Sequence, residues 1–417
     1  MEINYKKISL LAGFLLLSVL IGYAIYYLFF KTTVSVPVIN NAVQNAGQLP
    51  SAQTGQGGSQ ATWTKGQLPA GEGTIKTSGE NLPAEAIPDK IAKGGLTATL
   101  PLSDTKSLAS TISGDGASLY FYDQTDNKFY RLDRNGQKIA LSDKNFFDAQ
   151  AVTWAPDKTK AIIEYPDGAK IVYNFQTKKQ YTLPKHWQDF DFSPQSDKII
   201  AKSIGLDPEN SWLIIANDDG SQAQAIEEIG ANAAAVYPSW SPNNLSVALY
   251  AESLDFNRQT VYFVGQNKEN FKSMVIEGRG PEFAWTPSGD KLIYSVYSDD
   301  TNLNPNLWIV DAKGDNIGVN RKQLNLQTWA DKCTVASEQT AYCAVPTNLP
   351  EGAGLFPELA AASADNIYQV NLTTGAHSLI AVPDGAYNMK NISVSADETK
   401  LYFTDSASGK IYNIRLK

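Results

Sequence analysis

The sequence predicts an all-β protein: a seven-bladed β-propeller closed by an N-terminal strand, preceded by one transmembrane helix and a disordered linker. Two observations support this prediction. One is a short phrase that occurs seven times from residue 112 onward, in which an apolar strand, a Ser/Thr/Ala-Pro-like turn and a second apolar strand follow one another. The copies are about 47 residues apart on average, the length of a four-stranded propeller blade. The other is an uncharged apolar stretch near the N-terminus.

Residues 8–30 form that stretch, and as a helix they would extend about 34 Å, enough to cross a bilayer. Lys6 and Lys7 precede it and only Lys31 follows closely, so the positive-inside rule places residues 1–7 in the cytoplasm and the rest of the chain outside. A cleaved signal peptide is the competing interpretation, but the segment is long for one and no small-residue cleavage site follows. We therefore expect a single-pass protein of the cell membrane.

Residues 31–94 are the predicted linker. No charged residue occurs between positions 32 and 63, and the whole segment lacks the periodicity of a helix or a strand. Such a composition cannot bury enough apolar surface to offset the entropy of ordering. A flexible coil of this length has an end-to-end distance of about 45 Å, so we expect a tether. A segment that folds on binding a partner is the alternative.

The propeller is assigned to residues 95–417. Its strands are plainest in the second repeat, where Gly, Pro and Asp turns separate residues 150–154, 161–165, 170–175 and 179–183. The seventh repeat offers only three strands. Residues 96–102 are strand-like but belong to no repeat, so we expect them to complete the seventh blade and remove an open sheet edge.

Aromatic residues end the first strand of several repeats. The clearest are Trp154, Phe192, Trp240 and Trp285. Because they recur at the same point of successive blades, packing between blades is favoured over sugar binding. Burial of each ring stabilises the fold by roughly 2–3 kcal/mol.

The repeat pattern, an aromatic residue followed by Ser/Thr-Pro-x-x-x-Lys-Leu/Ile, is complete from Trp285 to Leu292. It resembles the repeat of TolB-type propellers and of the propeller domains of dipeptidyl peptidases. The resemblance covers about residues 96–417. It implies the propeller class, which serves many different functions.

Catalytic groups are sparse. The only histidines are His186 and His377, and the chain lacks the Gly-x-Ser-x-Gly motif that dipeptidyl-peptidase relatives carry after their propeller, so a Ser-His-Asp triad is poorly supplied. Asp189 and Asp191 lie two residues apart on a predicted inner strand, where they would share a face. They are the candidate pair for glycosidase chemistry at the central channel, with a polar channel lining as the alternative. We expect a protein that is not an enzyme.

Metal and cofactor motifs are weak as well. Residues 299–304 imitate the start of a calcium loop, but Pro305 stands where an EF-hand loop needs glycine and no closing glutamate follows. A polar turn is therefore expected there, and no metal or cofactor site. The net charge of −8 argues against nucleic-acid binding, which needs a concentrated basic surface.

Cys333 and Cys343 flank a predicted hairpin turn at residues 336–340. Facing each other across an antiparallel pair, they would be close enough for a disulfide. Two free thiols are the alternative, but the predicted location outside the cytoplasm favours oxidation.

The largest insertion, residues 348–364, lies in the sixth repeat. It carries four large apolar residues in a loop-like stretch, which makes them the partner-binding candidates: Leu349, Leu355, Phe356 and Leu359. Packing back onto its own blade is the alternative. We expect a binding or scaffold propeller that recognises protein or glycan partners in the cell envelope. A propeller enzyme of the glycosidase or lactonase kind, and a structural subunit of an envelope or secretion complex, are the other candidates.

Overall fold

The structure is a computed structural model that describes residues 16–21, 23, 87–269 and 271–417. Seven antiparallel sheets form the blades of a propeller, each running from an inner to an outer strand. In that order the strands are Ser107–Ile112, Leu119–Asp123, Lys128–Leu132 and Lys138–Ala140 in blade 1; Ala151–Trp154, Lys160–Glu164, Lys170–Asn174 and Gln180–Leu183 in blade 2; Trp187–Phe192, Lys198–Ser203, Trp212–Asn217 and Gln224–Glu228 in blade 3; Val236–Pro238, Ser246–Ser253, Arg258–Gly265 and Met274–Glu277 in blade 4; Arg279–Trp285, Lys291–Tyr297, Asn306–Asp311 and Lys322–Gln323 in blade 5; Cys333–Val335, Thr340–Pro346, Asp365–Asn371 and His377–Pro383 in blade 6; and Met389–Val394, Lys400–Asp405, Ile411–Arg415 and Thr99–Pro101 in blade 7.

Short 3₁₀ turns lie in the loops between these strands. They are Pro208–Asn210, Gly230–Ala235, Asp299–Thr301, Gly314–Asn316, Ala330–Lys332 and Pro357–Ala360. The turns Ala330–Lys332 and Pro357–Ala360 both border the candidate functional site.

The ring is closed by the strand Thr99–Pro101, which pairs antiparallel with Ile411–Arg415. The prediction that residues 96–102 supply the missing strand of the seventh blade is therefore confirmed. The same segment makes a second pairing that the repeat pattern did not predict. Leu96–Thr97 pairs in parallel with His377–Pro383, the outer strand of blade 6. The N-terminal segment thus ties two blades together.

Hydrogen-bonded structure begins before the predicted domain boundary. The Ala92 N–H donates to the Arg415 carbonyl at 2.8 Å, and the Gly94 N–H donates to the Ile380 carbonyl at 2.8 Å. Residues 31–86 of the predicted linker lie outside the described residues. So does the predicted span at 8–30, except for Leu16–Ile21 and Tyr23, which are helical.

No helix in the described parts of the chain is both long and apolar enough to span a bilayer. The transmembrane segment stays a prediction from the sequence.

The hydrophobic core is divided among the seven interfaces between neighbouring blades. At the interface of blades 2 and 3, for example, Ile162 and Val172 pack against Ile199 and Ala201. Of the clusters that lie between neighbouring blades in the described residues, the smallest is where blade 7 meets blade 1, and its buried members are Leu119, Phe121, Leu132 and Ile411. The seam that closes the ring therefore has the least apolar packing, and the N-terminal strand reinforces it.

The repeated aromatic residues pack between blades, as predicted. Trp154 lies in the cluster of blades 1 and 2, and its Nε1–H donates to the Ala109 carbonyl of blade 1 at 2.8 Å. The Trp285 Nε1–H donates to Ser239 Oγ of the preceding blade at 2.9 Å. These two tryptophans thus combine packing between blades with a hydrogen bond that fixes their register against the preceding blade.

The turn after the inner strand places one residue in the left-handed region, which favours glycine. Blades 1 and 5 have Gly116 and Gly289 there, whereas other blades have Lys158, Ser196, Asn244 and Glu398. A side chain in this conformation costs roughly 1–2 kcal/mol. The repeat therefore carries avoidable backbone strain in several blades.

The predicted disulfide is present. Cys333 and Cys343 are register partners on the first two strands of blade 6, and their Cα atoms are 4.1 Å apart. The bond covalently links the two inner strands of blade 6, the blade that also carries the long insertion.

Candidate functional site

The blade-6 insertion is the segment 347–364, between the strands Thr340–Pro346 and Asp365–Asn371. Strands alternate in direction from the centre to the rim, so loops between second and third strands lie on the same face as the segments that link blades. We call this the insertion face. At the base of the insertion, the Thr347 N–H donates to the Ala364 carbonyl at 2.8 Å.

The insertion is held by the neighbouring blade 5. The Gly352 N–H donates to the Asn302 carbonyl at 2.9 Å, and the Gly354 N–H donates to the Leu303 carbonyl at 2.8 Å. A Cβ at position 354 would stand 2.6 Å from the Leu303 carbonyl oxygen, so only glycine permits this approach. The insertion therefore packs on its neighbour as well as on its own blade.

The turn that imitates a calcium loop is the partner in this contact. Asn304 Oδ1 accepts a hydrogen bond from the Ala353 N–H at 3.2 Å, and Thr301 Oγ1 donates to the Asn304 carbonyl at 2.7 Å. Several of its oxygens are thus occupied by the protein itself. Across the part of the chain that the structure describes, no three His, Cys, Asp or Glu side chains are grouped so as to hold a metal ion.

Apolar packing fixes the centre of the insertion. Trp329, on the segment leading to blade 6, forms a buried cluster with Ala353 and Ala360, and the half-buried Leu349 packs against it. The other three partner-binding candidates face solvent, with exposed fractions of 42% for Leu355, 52% for Phe356 and 47% for Leu359. The four residues are thereby divided into one anchor and three exposed side chains.

A buried polar cluster holds the far end of the insertion. Lys332 Nζ lies 2.7 Å from Asp365 Oδ2, whose side chain is fully buried, and donates to Asn388 Oδ1 at 3.2 Å. Asn388 Nδ2 in turn donates to the carbonyls of Ala360 at 2.9 Å and Ser363 at 3.2 Å. Burial raises the pKa of the Asp365 carboxyl, while the Lys332 charge opposes the rise. This cluster connects the insertion to the start of blade 7.

A cavity of about 300 Å³ lies beneath the insertion, between the inner parts of blades 5, 6 and 7. Its lining includes Glu282, Asp331 and Lys390, and Pro357 and Ala360 border it from the insertion. Burial and the negative charge of Asp331 together raise the pKa of Glu282 to about 8. The Glu282 carboxyl is therefore largely protonated at neutral pH.

The structure separates the pair Asp189 and Asp191. The register of the inner strand shifts between Gln188 and Asp191, and Asp189 adopts a φ of 52°. Asp189 pairs with Lys202 at 2.7 Å, whereas Asp191 accepts hydrogen bonds from the Trp240 N–H at 2.7 Å and the Phe192 N–H at 2.8 Å. The expectation that the two share a face fails because a β-bulge interrupts the alternation.

Burial raises the pKa of Asp191 to about 6, with the two backbone donors opposing the rise. Its oxygens are used to join blades 3 and 4. Of the two histidines, His186 is exposed, and His377 lies edge-on to Tyr368 with ring centroids 5.9 Å apart.

Sequence reasoning missed Glu282, Asp331 and Asn388. Each occurs in a stretch with no motif, and Glu282 meets Asp331 only because blades 5 and 6 are adjacent in the ring. The one sequence signal for this site was Glu282, a charged residue on a predicted inner strand, where apolar and small residues predominate.

No family model and no curated protein matches the chain. Solved structures do. An oligogalacturonate lyase in complex with manganese is 14% identical, with a TM-score of 0.51, covering 79% of this chain and 97% of that chain. An oligogalacturonate lyase from Vibrio parahaemolyticus is 12% identical, with a TM-score of 0.55, covering 76% of this chain and 93% of that chain. At this identity the likeness shows the seven-bladed propeller fold alone.

Proposed function

We propose that this chain is a non-enzymatic binding propeller that recognises protein or glycan partners in the cell envelope. In this proposal residues 8–30 anchor it in the cell membrane, and residues 31–86 form a tether outside the cytoplasm. The insertion face supplies the contact surface, with the blade-6 insertion as its main docking element for a protein.

The observation that supports this proposal is the contrast within the insertion. Its backbone is fixed by blade 5 and by the Asn388 amide, yet Leu355, Phe356 and Leu359 are about half exposed on one short turn. Ordering a loop and leaving three large apolar side chains in water is costly unless a partner covers them. A preordered loop also loses little entropy on binding.

The distribution of other exposed apolar side chains supports the same face. Large exposed residues in its loops also include Phe147, Leu206, Leu254 and Phe256. In the described loops of the opposite face, the large exposed apolar residues are Leu245 and Val319. The insertion face is thus the more apolar of the two, as binding surfaces are at their centres.

Site-specific photocrosslinking of the full chain in native membranes tests the proposal. A photoreactive residue at Phe356 should give a discrete adduct, and the double substitution Leu355→Ser and Leu359→Ser should abolish it. The matched control is the same photoreactive residue at Leu245, on the opposite face and 40% exposed. Identical adducts from both positions, or adducts that persist in the double variant, would contradict the proposal.

An enzymatic function is the second candidate, because Glu282 and Asp331 place two carboxyl groups in one cavity and one of them is protonated at neutral pH. Such a pair could serve as general acid and base in glycoside or lactone hydrolysis. Turnover of an aryl glycoside or a lactone that disappears in both Glu282→Gln and Asp331→Asn would favour this function over binding alone.

A further inference from the structure

A second cavity opens on the insertion face between blades 4 and 5, with a volume of about 630 Å³. We propose that this groove binds a neutral oligosaccharide. The inference deepens the proposed binding function by naming a ligand class, and it rests on the same face being the contact surface. Its evidence is separate, because it lies in the composition of the groove and not in the blade-6 insertion.

The polar lining of the groove is unoccupied by the protein. Asn257, Asp300, Asn306 and Gln323 line it, and their side chains have no hydrogen-bond or ion-pair partner among the described residues. Amide groups both donate and accept, and a carboxylate accepts twice. Neighbouring hydroxyls of a sugar ring pair well with such mixed planar groups. Asn306 and Gln323 are half-buried, where an unpaired polar group is costly, whereas Asn257 and Asp300 are exposed at the groove mouth.

Aromatic rings supply the apolar part of the groove. Phe256 is 64% exposed, and the Arg279 guanidinium carbon stands 4.2 Å from its ring centroid. This cation–π contact holds the ring from one side and leaves its other face open. Trp308 lies deeper, nearly parallel to Tyr294 with centroids 6.3 Å apart. The flat C–H face of a pyranose ring fits an exposed aromatic face.

Charge selects the type of sugar. Arg258 pairs with Asp255 at 2.6 Å, and Arg321 pairs with Glu277 at 3.1 Å, so these two arginines are already neutralised. Arg279 has no ion-pair partner among the described residues, but its guanidinium stands against the Phe256 ring and does not line the groove. The charged side chains that do line the groove are three acidic ones, Asp255, Glu277 and Asp300, and one basic one, Arg258, so an anionic ligand such as a uronate, sulfate or phosphate would meet net negative charge. A neutral saccharide avoids this penalty.

The groove also borders the proposed docking element. The turn Asp299–Thr301 contributes to its wall, and the residues that follow hold the blade-6 insertion through the Asn302 and Leu303 carbonyls. A saccharide in the groove would therefore lie beside the exposed apolar residues of the insertion. One face could contact a glycan and a protein at neighbouring positions.

The test uses the full chain purified in a detergent without a sugar headgroup. Saturation-transfer NMR and calorimetry are performed with cellotetraose, maltotetraose and N-acetylglucosamine tetramer, and with trigalacturonate as the acidic comparison. We expect at least one neutral tetrasaccharide to bind. Phe256→Ala and Asp300→Ala should each weaken binding about tenfold or more, which corresponds to about 1.4 kcal/mol.

Leu245→Ala is the control, because Leu245 is an exposed apolar side chain (40%) on the opposite face, outside the proposed contact surface. It should leave the affinity unchanged. The proposal is overturned if no neutral tetrasaccharide binds at millimolar concentration, if trigalacturonate binds more tightly, or if the control weakens binding as much as Phe256→Ala. The photocrosslink at Phe356 reports independently, so loss of sugar binding alone leaves the protein-docking function standing.

Discussion

The carboxyl of Glu282 should make the stability of the propeller depend on pH in an unusual direction. Its pKa is raised from 4.5 to about 8, so the folded state binds more protons than the unfolded state between these values. The free energy of unfolding should therefore fall as the pH rises through this window, by up to about 1.4 kcal/mol per pH unit. The groups facing Glu282 are Asp331, Lys332, Lys390 and, from blade 4, Tyr237.

Glu282→Gln removes the titration while keeping the shape. Urea unfolding is followed by tryptophan fluorescence at pH 5.5 and pH 7.5. From the lower to the higher pH, the free energy of unfolding of the variant should rise relative to that of the wild type by up to roughly 3 kcal/mol. Asp331→Asn should reduce the pH dependence, because it removes the neighbouring negative charge. The exposed Glu351→Gln on the insertion is the control and should behave as wild type. An equal difference between Glu282→Gln and wild type at both pH values would refute the protonated pair.

Three further predictions concern stability. Replacing Cys333 and Cys343 by alanine should lower the free energy of unfolding by about 3 kcal/mol, because the disulfide closes a loop with a sequence separation of 10. Gly354→Ala should detach the insertion, at a cost of about 1–3 kcal/mol, and increase its cleavage in limited proteolysis, since the new Cβ would meet the Leu303 carbonyl. Lys158→Gly should stabilise the protein by about 1 kcal/mol or more below pH 8 by removing a left-handed side chain. Burial lowers the pKa of Lys158 from 10.5 to about 8, so this advantage should shrink between pH 8 and pH 10.5 as the wild type gains stability.

Each of these predictions has an internal control. Reduced wild type should match the cysteine double variant in urea unfolding, and equal stability of the oxidised and substituted proteins would contradict the first prediction. Gly114→Ala has nothing within 4 Å of the new Cβ, so proteolysis should be unchanged there. Lys178 is left-handed but exposed, so Lys178→Gly isolates the effect of removing a left-handed side chain.

The architecture was predictable because each repeat is specified by residues that are close together in the sequence. Turn residues and alternating apolar strands mark each blade, and the incomplete seventh repeat with a spare strand at 96–102 implied closure. The parallel pairing of Leu96–Thr97 with blade 6 was not predictable, because two residues carry no periodicity. The disulfide was predictable from the symmetry of Cys333 and Cys343 about one turn.

The candidate site was predictable only in part. The insertion and its apolar residues are visible as a departure from the repeat length, but the sequence could not separate the anchoring Leu349 from the exposed Phe356. Pairing Asp189 with Asp191 was wrong because a bulge reversed one side chain, and bulges leave little trace in a single sequence.

The sequence by itself determined the fold, the closure of the ring and the position of the cysteine bridge, because these follow from turns, strand periodicity and chain order. Tertiary structure decided the rest. The Glu282–Asp331 cavity, the support of the insertion by Asn302 and Leu303, and the groove between blades 4 and 5 all join residues from different blades. Contacts between blades depend on the curvature of the ring and on side-chain direction, which local sequence patterns do not encode.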